Sequence, residues 1–453
     1  MAAGLNYTYS YLCESTLSQG PREVSLSLAT SGGVSEHPYF FQGSLCYPRL
    51  TALCLKTLSR VVAARYHVPA AMLERILRES DPVVTCGGER LRFEGFSGCC
   101  GVYARVDLNP DAYHGVFVGQ GTTNVDFNSA MLGALGQIRD DESVSLAVGT
   151  DEVALLRGTE QIIEKKVTLP IRWIRGMAEV QAYLARMERV FSINRVEAIR
   201  FWRSIPASPG NQTVYHVVAA GNGLRLSSQA AERSVKVSGL VRLRVVEPLA
   251  LACDSVRVYT DAQGEASAWE FLFGPLRFTL VLSAETWRGF SGEGQLLEAL
   301  AKNENDPLFE QARASLKWQA ELPVEEFAQN WDVPARQVRE TLQRLAAQGL
   351  VGYDLEAGSY FHRELPFTID RGERLNPRLK NARKLVSTEG VEIVKRGKKQ
   401  VEAYVRGSGV EHRVQLLSGQ WKCTCPWHSK HQGLRGPCKH VLAVQMATAE
   451  KQA

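Results

Sequence analysis

Residues 423–440 read CTCPWHSKHQGLRGPCKH, and this stretch decides how the end of the chain folds. Three of the ten cysteines and three of the nine histidines fall inside it. Cys423 and Cys425 form one pair, twelve residues follow, and Cys438 and His440 form a second. Structural zinc sites want four thiolate or imidazole ligands, in pairs held by local turns, with a loop that folds back between them. Redox motifs set their cysteines two residues apart, whereas one residue intervenes here. Upstream, residues 400–423 alternate as antiparallel strands, with turns at Gly407-Ser408-Gly409 and Ser418-Gly419. Downstream, Val441, Leu442, Val444 and Met446 fall at helical spacing. The first pair therefore ends a strand and the second opens a helix. Sharing that helix start favours His440 over the spacer residues His428 and His431 as the fourth ligand.

The pattern resembles the SWIM zinc finger over residues 392–449. The resemblance implies a bound Zn2+ held by Cys423, Cys425, Cys438 and His440, in a C-terminal ββα finger assigned to 392–453. It also implies a nucleic-acid-binding or protein-interaction role; the protein partner would be of the kind of an ATPase or a von Willebrand A-domain protein. The whole chain, with a large body ahead of the finger, is similar to bacterial SWIM zinc finger proteins. The segment RFEGFSGCCGVYARVDL, 92–108, looks like a stretch of that group, with no role attached to it.

Charge points to a polyanion or an acidic protein face. The chain carries +5, but residues 371–453 hold 17 Lys/Arg against 6 Asp/Glu, so the tail is +11 and the body −6. A basic tail on an acidic body suits nucleic acid, DNA ahead of RNA. Lys422, Lys430, Arg435 and Lys439 interleave with Trp421 and Trp427, a mixture suited to phosphate contact and base stacking. Trp421 is assigned to the finger core and Trp427 is left open. The charged turn VKRGKKQ adds Lys395, Arg396, Lys398 and Lys399 as phosphate contacts.

Ahead of the finger the reading is an α+β multidomain chain. At 453 residues there is room for two to four domains. Residues 1–124 form an N-terminal α+β region, with helices over 48–79 and strands in 89–108. Residues 125–295 show a weak duplication of helix, hairpin and third strand, an order reminiscent of sliding-clamp-like repeats. Residues 296–370 resemble a winged-helix domain: two helices around NWDVPA, with Asp332 as cap, then a hairpin at Ala357-Gly358. Its second helix is expected to expose Arg336, Gln337, Arg339, Gln343 and Arg344, and Arg336 and Arg339 are the candidate nucleic-acid contacts. Residues 371–391 are read as a basic linker.

No enzyme is expected. The sequence lacks phosphate-binding-loop, nucleophile-elbow and metalloprotease motifs, and no small-molecule substrate suggests itself. Cys99-Cys100 with His114 is better read as packing than as nucleophile and base. The other cysteines outside the finger sit among apolar neighbours and read as small buried hydrophobes. The first residues lack a basic and an apolar signal region, and no apolar run is long enough to span a bilayer, so a cytoplasmic protein without membrane contact is expected.

Overall fold

A computed structural model describes residues 7–10, 16–19, 23–28, 39–67, 82–117, 119–124, 132–133, 135–141, 143–149, 166–169, 171–207, 213–297, 301, 306–316, 319–365, 376–397, 400–407 and 409–450. The chain divides into two compact units. The first comprises Met1–Gly176, Arg186–Phe290 and Arg363–Pro366, and the second Met177–Ala185, Ser291–His362 and Phe367–Ala453. Both are mixtures of helix and strand. No helix among the described residues is long and apolar enough to cross a membrane.

The first unit is built around an eight-stranded sheet. Its spatial order is Met187–Asn194, Ser255–Asp261, Ala266–Phe273, Leu276–Ser283, Val102–Leu108, Arg90–Phe96, Val83–Gly87 and Gly121–Asn124. The helix Pro48–Ala63 packs on it, and Gly95 leaves the space that Val62 and Leu58 fill. Phe201, Trp202, Trp269 and Phe271 add an aromatic cluster.

The alternation of Val102, Ala104 and Val106 against Tyr103, Arg105 and Asp107 would ordinarily turn one face to water. Here all seven residues of Val102–Leu108 are buried. The polar face is covered and charge-paired. Cross-strand register sets Arg92 opposite Asp107, Glu94 opposite Arg105, and Asp107 opposite Arg277. Asp107 meets Arg92 at 3.3 Å, Arg105 at 3.0 Å and Arg277 at 3.3 Å. Arg363 donates to Glu94 at 2.8 Å, with both side chains fully buried.

The two expected repeats pair differently. In the second, the helix Arg195–Ser204 precedes a sheet ordered Gly223–Ser227, Val214–Ala220, Ser234–Ser238. In the first, Ser143–Gly149 runs parallel to Glu23–Leu28 and antiparallel to Tyr39–Leu45, while Lys166–Leu169 pairs with Tyr7–Ser10. The strand expected over 152–157, half of the helix expected over 127–138 and the helix opened by Pro69 lie outside the described residues.

In the second unit, helices Pro307–Ser315, Val324–Asn330 and Ala335–Ala347 accompany a three-stranded antiparallel sheet, Glu321–Leu322, Ser359–His362, Val351–Asp354. Phe327, Val338, Leu342 and Leu345 point into one core with Leu322 and Tyr360. Gly349 (φ 75°) ends the third helix and Gly358 (φ 61°) turns the hairpin. Two details correct the sequence reading. Asp332 sits in the turn at φ 52°, and Pro334 occupies the cap position, where no side chain caps the helix. Arg344 is buried at 7% exposure, because its guanidinium pairs with Asp306 at 2.7 Å and lies over the Phe309 ring.

Residues 377–387, read as linker from their charge, form a helix capped by Asn376 and opened by Pro377. A four-stranded meander follows: Val391–Arg396, Gln400–Arg406, Glu411–Leu417 and Gln420–Cys423. The short helix Pro426–His431 and the helix Lys439–Glu450 complete the chain.

Candidate metal centre

Cys423 closes the last strand of the meander, and Cys425 begins the short helix. The turn between them is fixed by Thr424, whose amide donates to the Arg413 carbonyl and whose hydroxyl accepts from the Arg413 amide, both at 3.1 Å. Cys438 lies just ahead of the last helix and His440 in its first turn. The four ligand atoms lie within 4.8 Å of one another, and all four residues are buried. Cys423 Sγ and His440 Nδ1 are 3.8 Å apart. A tetrahedral zinc with metal–sulfur bonds of about 2.3 Å separates its ligands by roughly 3.5–3.8 Å, so the donors fit such an ion.

Backbone groups favour charged sulfur here. Cys425 Sγ accepts from the His428 amide and Cys438 Sγ from the Val441 amide, both at 3.4 Å, at the two helix starts. Hydrogen bonding from Cys423, then Cys438, pushes the Cys425 thiol far down. The same bonds, from Cys425 and then Cys438, push Cys423 far up. Three thiolates close together repel, and a cation allows all three to ionise. His412 packs against His440 with ring centroids 4.3 Å apart and planes tilted by 42°; burial, then His440, lowers its pKa.

The spacer histidines lie outside the donor cluster. His431 packs on Trp427 at 4.3 Å, and His428 faces the cavity beside the finger. The spacer itself docks. Arg378 sits 4.6 Å over the Trp427 ring and donates to the carbonyls of Arg435 (2.8 Å) and Glu293 (2.6 Å). Gly436 (φ 74°) packs so closely on Gly294 that a Cβ would overlap its carbonyl. Arg435 donates to Glu293 at 3.2 Å, with 19% and 2% of the two side chains exposed.

Of the residues read as nucleic-acid contacts, Arg435 is therefore already committed to holding the spacer in place. Arg396 donates to the Thr448 carbonyl at 2.7 Å. Arg336 and Arg339 are exposed, but pair with Glu340 (3.1 Å) and Glu325 (2.6 Å). Lys398 and Lys399 lie outside the described residues. Lys395, Lys422 and Lys430 are exposed and Lys439 half-buried, and no carboxylate among the described residues pairs with any of the four. Trp421 is half-buried against the finger core, as expected.

Glu179 carries no local signal, because its surroundings depend on a contact more than a hundred residues away. It accepts from the Gln295 amide at 3.1 Å, beside the Glu293–Arg378 pair. Burial, then Glu293, pushes its carboxyl from the ordinary 4.5 to about 8. The folded state thus holds a proton that the unfolded chain releases between these values. That contribution is complete below about pH 4.5 and is lost as pH rises through about 8. Glu179→Gln is expected to flatten the fall in melting temperature between pH 5 and pH 9, a difference on the order of a few kcal/mol. Parallel pH profiles for the two proteins would contradict it.

Cys99 Sγ lies 3.3 Å from Ser97 Oγ, whereas His114 is exposed on a strand of a different sheet, Tyr113–Phe117. Cys54, Cys86, Cys100 and Cys253 are buried, and burial pushes Cys253 up to about 12. Cys46 and Cys99 are half-buried, and Cys13 lies outside the described residues.

Residues 412–445 match the SWIM zinc finger family model. The match contains all four donors of the cluster, Cys423, Cys425, Cys438 and His440. No curated protein matches the chain. Among solved structures, Proliferating Cellular Nuclear Antigen from Entamoeba histolytica is similar at 10% identity and TM-score 0.35, over 54% of this chain and 98% of that one. The PCNA2-PCNA3 complex from Sulfolobus tokodaii is similar at 9% identity and TM-score 0.34, over 53% and 98%.

Proposed function

We propose that this SWIM-finger chain is a non-catalytic protein in which Zn2+ organises a basic surface that binds nucleic acid, DNA ahead of RNA. Four ligands and a backbone-capped donor set make a closed, structural site, with no position left for a substrate. The observation that carries the reading is the set of finger lysines, Lys395, Lys422, Lys430 and Lys439, left without carboxylate partners among the described residues. Such cations release counterions from a phosphate backbone, so binding must weaken as salt rises.

Residues 296–370 are read as a winged-helix-like domain that stands second in this role. Glu325 and Glu340 set carboxylates beside Arg339 and Arg336, although exposed pairs of this kind hold by only about 0.3–0.5 kcal/mol and open readily.

Replacing Lys422, Lys430 and Lys439 together by Ala is expected to flatten the log-affinity against log-salt slope of the full chain by about 2–3, with metal content unchanged. Arg336→Ala is expected to change that slope less. An unchanged slope in the triple variant would refute the finger as the phosphate-binding surface.

One observation favours a second reading, a protein-docking adaptor. Val391–Arg396 is an edge strand of the finger sheet and exposes Val394 at 59%, a surface on which a partner's strand can pair. A defined protein recovered on the full chain after nuclease treatment, and lost on Val394→Lys, would favour it.

A further inference from the structure

Beside the metal cluster the finger carries a cavity of about 880 Å³, within the range of small-molecule sites. Four features define its chemistry. Trp421, half-buried and packed on the finger core, is one of its lining residues. Gln295, Gln420, Gln432 and Gln445 contribute amides to its lining, and no Asp or Glu lines it among the described residues. Gln445 Oε1 is buried without a hydrogen-bond partner among the described residues, a cost that a donor on a ligand removes. Lys422, exposed, also lines the cavity. Two residues are fixed in place: Gln295 donates to the Leu434 carbonyl at 2.8 Å, and Gln432 takes a left-handed φ of 46° where the short helix ends.

An aromatic face, amides offering both donors and acceptors, a single cation and no carboxylate together match one unpaired nucleobase with its adjoining phosphate. Glutamine amides pair with base edges, and every base stacks on an aromatic ring. A peptide with basic groups would want carboxylates here. We infer that this cavity accepts a single nucleobase, which makes the finger selective for single-stranded or locally opened nucleic acid over intact duplex. A base within a duplex is stacked and paired, and cannot enter without being extruded. The inference rests on the proposed nucleic-acid function and specifies its substrate.

The test uses the full zinc-loaded chain with three ligands of equal length: a single-stranded oligonucleotide, the same backbone without bases, and a duplex. The single strand is expected to bind about tenfold more tightly than either of the others. Stacking energies convert to a loss of about 5–160-fold for Trp421→Ala, largely restored in Trp421→Phe. Because Trp421 also packs the finger core, Gln445→Leu is the second variant, expected to reduce single-strand affinity while metal content and duplex affinity stay the same. Equal affinity for the base-containing and base-free strands, or no effect of Gln445→Leu, overturns the cavity while leaving salt-dependent binding intact. No binding to any of the three overturns the functional reading with it.

Discussion

Cys438→Ser is expected to lower bound metal from one ion per chain to almost none and to unfold the finger. A serine hydroxyl is a poor replacement for a thiolate, and the metal's binding energy in such fingers, about 10–16 kcal/mol, is folding energy. The packing sets how far the loss spreads. Cys423, Cys425 and Cys438 are themselves core residues, in contact with Val401, Val405, Val414 and Val441. Leu442, Ala443 and Met446 of the last helix share a second core with Leu297, Leu379 and Ala382. Amide hydrogen exchange should therefore rise across 391–450 and also across the helix Pro377–Ser387. The core of 307–362, built on Phe309, Phe327, Leu342 and Tyr360, contains none of these residues and should stay protected. A variant that keeps its metal would refute the ligand set, and one that opens only 391–450 would refute the coupling to 377–387.

The second large effect lies in the first unit. Asp107 is fully buried and is the shared counter-charge of Arg92, Arg105 and Arg277. Asp107→Asn leaves three guanidiniums without it, and breaking a buried ion pair costs about 3–5 kcal/mol. Asp140→Asn is the control, since its pair with Arg49 at 2.9 Å is largely exposed and worth at most about 1 kcal/mol. Denaturant unfolding of both variants should separate them by several-fold in lost stability. Similar losses would mean that the buried charges are neutralised in some other way.

The metal cluster was legible because its signal is local. Two ligand pairs, a strand before and a helix after leave few alternatives, and the four donors converge as the spacing implies. Hydrophobic periodicity likewise located the core positions Phe327, Val338, Leu342 and Leu345. What sequence did not reveal is the fate of charged side chains, because that depends on partners far away along the chain. Arg344 looked exposed by residue type, but Asp306 and Phe309 bury it. Arg435 looked like a phosphate contact, but Glu293 holds it. Arg105 and Asp107 looked like the wet side of a half-buried strand, but strands from elsewhere bring Arg92 and Arg277 against them. The segment 377–387 looked like linker because its charge outweighs its few apolar residues, yet Leu379 and Ala382 suffice to seat it as a helix.

The spacer between the ligand pairs shows the same division. The cysteines and histidine that flank it could be read in place, whereas the docking of Trp427, Arg435 and Gly436 needed Glu293, Gly294 and Arg378 to become visible.

The most direct test of the account is a chelator titration of the full chain at fixed salt, following metal release and nucleic-acid binding in parallel. The account predicts that the two fall together and that added Zn2+ restores both. Unchanged nucleic-acid affinity after the last metal ion has left would contradict it.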